Sequence, residues 1–219
     1  MITMDFSAVL EQWPLLARGV AFTVGLTAIA SVAGLALGVA CAWARSWGPK
    51  WLGSIAAVYV ELIRNTPFIV QLFFIFFGLP SLGVRLTPEI ASVLAMVINL
   101  GAYAAEIVRA GIDSTHKGQV EAGLSLAMSR AQVFTRVVLP PALSRVWPAM
   151  VSQIIIVMLG SAVCGQIATQ ELSYYANLIQ SRNFRAFEAY IVATLIYLVL
   201  SIGVRQLLRW VGPRFIFGR

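Results

Sequence analysis

From Val20 to Ala44 the chain runs without one charged side chain. About 20 apolar residues suffice to cross the hydrocarbon core of a bilayer as a helix. Comparable runs recur at residues 52–79, 89–112, 146–167 and 188–210. Over 219 residues, 59% are hydrophobic and 11% charged, whereas soluble domains carry roughly 25% charge. So few charges cannot cover a water-facing surface. The sequence therefore excludes an aqueous globular enzyme and predicts an all-α, polytopic membrane protein with five transmembrane helices in a single domain over 1–219.

The first run carries Ala30, Gly34, Gly38 and Ala42, small residues four apart that share one face and let another helix approach closely. Gly48-Pro49 breaks it, and Trp47 and Trp51 suit a membrane interface. The second run holds Glu61 and Arg64, three apart and able to meet on one helical face. Pro67 predicts a kink within that span, and Gln71 is the polar residue of its apolar half. On the third run Asn99, Tyr103 and Glu106 follow the i, i+4, i+7 spacing, and Arg109 lies three residues beyond Glu106. Glu61/Arg64 and Glu106/Arg109 are candidate buried ion pairs or a gate. Residues 113–140 are too polar to span and predict two short amphipathic surface helices, after which Pro140 and Pro141 restart the chain. Residues 168–187 form a polar segment at the opposite face.

Charge sets the expected orientation. With the 113–140 loop in the cytoplasm, 12 of the 16 basic residues lie inside, Arg45, Arg145 and Arg219 among them, against Arg18, Arg85, Arg182 and Arg185 outside. The positive-inside bias then places the N-terminus outside and the C-terminus in the cytoplasm. The net charge of +7 has the same origin, so nucleic acid is not an expected partner. Cys41 and Cys164 lie in apolar stretches and His116 is the lone histidine, so no metal site or disulfide framework is expected.

The loop Gln119-Val-Glu121-Ala122-Gly123-Leu124-Ser-Leu-Ala127 and onward to Val138-Leu139-Pro140 resembles the Glu-Ala-Ala loop of ABC importer permeases. Glu121-Ala122 match that pattern. Gly123 replaces its second Ala, and Ala127 its Gly. Two further blocks, Glu61-Leu-Ile-Arg64-Asn65-Thr66-Pro67 through Gln71 and Gly101-Ala102-Tyr103 through Arg109, are similar to spans of the polar amino acid uptake permeases. In this order the three blocks cover most of the chain.

The resemblance implies the permease subunit of a binding-protein-dependent amino acid importer with the ABC transmembrane type-1 fold, in a bacterial inner membrane. It implies three partners besides membrane lipid: a cytoplasmic ABC ATPase dimer, a second permease chain and a periplasmic amino-acid-binding protein. Glu121, Ala122, Gly123, Ala127, Leu139 and Pro140 become the ATPase-coupling residues, the small ones letting the loop sink into a groove on the motor. Gln71, Asn99, Tyr103 and Ser161 become candidates for the substrate pathway, since amide and hydroxyl groups serve both ends of an amino acid. The residues themselves agree on one point. A phosphate-cradling GxxxxGK[ST] loop needs a lysine after glycine, whereas Lys50 follows Pro49 and Lys117 follows His116. The chain is thus expected to be no enzyme and to hold no cofactor, with ATP and Mg bound by the partner ATPase. A passive channel or secondary carrier is the alternative; a membrane-embedded enzyme lacks convergent catalytic groups.

Similar permeases carry a Lys-Asp/Asn-Thr/Ser-Ser type run in the fourth span. Here that stretch is Met158-Leu159-Gly160-Ser161. A pocket lined by Met158 and Leu159 would not hold a charged side chain. Either the solute's side chain is uncharged there, or a related partner permease supplies the site. The second reading slightly favours a heterodimer over a homodimer.

Overall fold

The computed structural model describes residues 4–216, and among these there is no β-strand. A short α1 (Ser7–Leu10) leads into α2 (Trp13–Ser46). Then come α3 (Lys50–Arg64), α4 (Phe68–Phe73, prolonged by tighter and wider turns to Leu82) and α5 (Pro88–Asp113). Next are α6 (Lys117–Ser125), α7 (Arg130–Gln132) and α8 (Leu139–Gly160). The last two helices are α9 (Leu172–Asn183) and α10 (Ala186–Val211). Among the described residues four helices are long and apolar enough to cross a membrane, and α3 with the Phe68–Leu82 run makes a fifth where that bent pair counts as one span. Arg219 lies outside the described residues.

The core is built on α2 and α5, which run parallel. Ala30, Gly34, Gly38 and Ala42 are all buried along α2. A Cβ on Gly34 would lie 2.9 Å from the Leu100 side chain, and one on Gly38 only 2.5 Å from that of Ala104. Lipid offers no hydrophobic drive to press two helices together, so close van der Waals packing through small residues must hold them. Helix α8 packs antiparallel on α5, with Gly111 against the Ala142 carbonyl. Trp147 Nε1 donates to the Leu208 carbonyl at 3.0 Å and ties α8 to α10. These contacts gather the ends of α2, α5 and α10 and the start of α8 at one basic end. At the opposite end the Thr169 hydroxyl donates to the Pro88 carbonyl (3.1 Å), and Leu172 N–H to Thr23 Oγ1 (3.2 Å).

Three sequence expectations change. The second span is not one kinked helix: α3 stops at Arg64, and its axis meets that of the Phe68–Leu82 run at 109°. Pro67 is extended (φ −62, ψ 139), and a residue preceding proline is driven out of the helical region, so the helix ends before it resumes. Pro140 and Pro141 do not restart the chain. The helix runs on from Arg130 to Ile167, with wide turns over Val133–Val138 absorbing the missing donors. Residues 168–187 contain α9, whose Leu172, Tyr175, Ala176 and Ile179 are buried.

Candidate functional site

Helix α6 and the turn after it form a compact bracket at the basic end. The turn closes as a Schellman motif: Met128 N–H donates to the Gly123 carbonyl (3.2 Å), and Ala127 N–H to that of Leu124 (3.0 Å). Ala127 therefore occupies the left-handed position, with φ 57, where glycine has no penalty. Ser129 caps α7 in a reciprocal box with Gln132 (2.8 and 3.3 Å). Glu121, Ala122 and Ala127 face outward, Leu139 is half-buried and Pro140 exposed. Leu124 and Leu126 also stand exposed, the latter by 78%. Gly123 turns inward, where a Cβ would come within 3.0 Å of Val133. Its smallness thus serves packing inside this chain, which corrects the expectation that it lets the loop sink into a partner. Position 127 is constrained by its backbone angle.

A second constellation lies on the exposed side of α5. Asn99 Nδ2 donates to Gln71 Oε1 at 3.0 Å. The Gln71 amide in turn donates to the carbonyls of Ile63 (2.7 Å) and Thr66 (3.0 Å). Ile63 is the residue whose helical partner would have been Pro67, so Gln71 takes up the carbonyl that the proline frees. One turn along α5, the Arg64 guanidinium sits 5.6 Å above the Tyr103 ring. Among the described residues the Asn99 Oδ1 and Tyr103 hydroxyl have no hydrogen-bond partner, and both residues are half-exposed. Glu106 ends the stripe: Arg45 and Arg109 (3.0 Å) both donate to it, and Arg64 lies 3.9 Å away. Arg109 also reaches Asp113 at 3.1 Å.

The comparisons with known proteins concern the whole of this architecture. Residues 13–217 match the family described as the binding-protein-dependent transport system inner membrane component. The chain belongs to that family. It is 36% identical over 207 residues to the glutamine transport system permease protein GlnP of Escherichia coli (strain K12), covering 94% of each chain. It is 36% identical over 209 residues to the L-cystine transport system permease protein TcyB of Bacillus subtilis (strain 168), covering 91% of this chain and 89% of that one. A crystal structure of an amino acid ABC transporter superposes with a TM-score of 0.87 at 35% identity, over 98% of this chain and 100% of that one. The MetNI methionine ABC transporter, at 19% identity and a TM-score of 0.69, shares the fold.

Within this family member the expected ion pairs are redistributed. Glu106 and Arg109 meet as expected, but Glu61 and Arg64 do not. Both are exposed; Glu61 accepts from the Asn65 side chain (3.1 Å) while Arg64 turns to α5. Arg45, which the sequence marked only as one of the basic residues of that end, is an additional partner of Glu106. Ser161 is fully buried and donates to the Met158 carbonyl (2.6 Å), so its hydroxyl proton is already engaged by the backbone of its own turn. Met158 is buried too, and of that pair only Leu159 is exposed.

Sequence reasoning also missed Glu171, a fully buried carboxylate at the start of α9. It accepts from Ser173 N–H (2.9 Å), Ser173 Oγ (2.6 Å), Tyr174 N–H (2.7 Å) and the Tyr197 hydroxyl (2.6 Å). Four donors replace its hydration without a cation. The available signal was an acidic residue placed where a helix begins.

Proposed function

We propose that this chain is the permease subunit of an ATP-driven amino acid importer. Two permease chains line the pathway, a separate cytoplasmic ATPase dimer binds ATP and Mg, and a periplasmic binding protein delivers the solute. The carrying observation is the rigid α6–α7 bracket on a member of this transport family. It presents Glu121, Ala122, Ala127, Leu124 and Leu126 away from the bundle, as a handle that a motor subunit can grip. The bracket then lies in the cytoplasm, with the N-terminus outside and the C-terminus inside, in keeping with the basic end.

The solute passes the stripe of Gln71, Asn99 and Tyr103. Asn99 Oδ1 and the Tyr103 oxygen accept from an ammonium group, and the exposed Arg64 can leave its long contact with Glu106 for a carboxylate. Ser161 enters the pathway only if the fourth span rearranges during the cycle. The relative named for glutamine transport, at 36% identity, favours a solute with an uncharged side chain over the arginine named for a relative at 32% identity. The second permease chain is a related partner in preference to an identical one.

Reconstitution with the ATPase and binding protein tests this reading. ATP-dependent uptake is expected, and Asn99→Ala should lower solute-stimulated ATPase turnover about tenfold, the loss of roughly one hydrogen bond to a charged group, with basal turnover unchanged. Uptake without ATP would refute the reading. Two differently tagged copies that co-purify in one transporter would exclude the heterodimer.

A further inference from the structure

A cleft of about 650 Å³ opens between α2, the start of α5 and the start of α9. Phe22, Gly25, Ile29 and Val93 form its apolar walls, and Arg18, Glu89 and Gln170 border it. From Arg18 to Ile29 it follows α2 for about 16 Å at 1.5 Å per residue, roughly half of a ~30 Å hydrocarbon core. Its length thus matches one leaflet, far more than a free amino acid occupies.

The polar groups lie at the end nearer the start of α2. Among the described residues no ion pair joins Arg18 to Glu89, nor does either carry another charged partner. Gln170 Oε1 accepts from the Tyr175 hydroxyl at 3.0 Å, leaving its Nε2 free to donate. Gly25 faces open space, with nothing within 4 Å of where a Cβ would lie.

The geometry points to a site for one glycerophospholipid with a zwitterionic headgroup bearing a primary ammonium. An acyl chain fills the apolar length. Arg18 holds the phosphate, Glu89 the ammonium, and Gln170 Nε2 an ester carbonyl. A primary ammonium donates hydrogen bonds to Glu89, whereas a trimethylammonium cannot, so the site distinguishes phosphatidylethanolamine from phosphatidylcholine. With the orientation proposed above, the lipid belongs to the outer leaflet; the site itself does not depend on the transported solute.

Native mass spectrometry of the purified, complete transporter, titrated separately with dioleoyl phosphatidylethanolamine, phosphatidylcholine and phosphatidylglycerol, tests the site. The ethanolamine lipid should bind at least about fivefold tighter than either other, the margin of one charge-assisted hydrogen bond. Gly25→Phe, whose Cβ meets nothing within 4 Å, places a ring in the cleft and should abolish that binding. Glu89→Gln should erase the preference over phosphatidylcholine, and Arg18→Gln should weaken both lipids. Equal binding of the three lipids, or unchanged binding in Gly25→Phe, overturns the proposal. So does displacement by excess free amino acid, or a disulfide between two permease chains through Gly25→Cys, which would make the cleft a subunit interface. Lipid binding is read without transport, so failure of the transport reading leaves this result separate.

Discussion

Arg45 and Glu106, 61 residues apart in sequence, are joined by a hydrogen-bonded ion pair between the C-terminal parts of α2 and α5. Their side chains retain only 16% and 20% exposure. Arg64, at 39% exposure and 3.9 Å, is a much looser partner of the same carboxylate.

Removing Glu106 should therefore cost more than removing Arg64. Breaking a largely buried pair strands a charge and costs about 3 kcal/mol, whereas an exposed pair contributes about 0–1 kcal/mol. Glu106→Gln and Arg45→Ala are expected to lower the melting temperature clearly, and Arg64→Ala only slightly. Thermal melting of the purified variants checks this; equal losses for Arg45→Ala and Arg64→Ala would contradict the geometry.

Ala127 offers a gain. An L-residue with positive φ carries a steric penalty of about 1–2 kcal/mol that glycine avoids. Ala127→Gly should raise stability by up to about 1 kcal/mol, glycine's larger loss of backbone freedom offsetting the rest. Ala127→Val should lower it. Resistance of the α6–α7 turn to limited proteolysis should follow the order Gly, Ala, Val. Gly123→Asp, by contrast, drives a carboxylate towards Val133 and should remove the ATPase from the purified complex.

The α2–α5 seam is intolerant of volume. A side chain on Gly38 meets Ala104 at a distance that atoms do not adopt, so Gly38→Leu must separate the helices. Yield of folded protein in detergent should fall severalfold. Gly25→Leu, on an open part of the same helix, should be tolerated; similar losses from both would argue against the packing.

At Glu171 the two obvious variants should differ. Gln places an NH2 where the carboxylate accepts, against donors from Ser173, Tyr174 and Tyr197. That clash of donors costs about 2–3 kcal/mol, while Tyr197→Phe deletes one hydrogen bond for about 1 kcal/mol. Melting of Glu171→Gln well below Tyr197→Phe is expected; the reverse order would mean that the carboxylate accepts differently.

The membrane class and the all-α fold with several long apolar helices were legible in the sequence. Run length, charge content and the sidedness of arginine are properties of the chain itself, since the bilayer fixes how many apolar residues a crossing requires. So was the small face of α2, because Ala30, Gly34, Gly38 and Ala42 repeat at helical spacing. What only the tertiary structure decided was which polar group meets which. Spacing places Glu61 and Arg64 on one face, yet Glu61 turns to Asn65 and Arg64 to α5. It marks Gln71 and Asn99 as polar but not as partners, and it says nothing of Arg45 reaching Glu106 or of Ser161 closing on Met158. A helix determines its own faces through a period of 3.6 residues. Which face meets which neighbour depends on how the helices stack, and that ordering is set by side chains far apart in the chain.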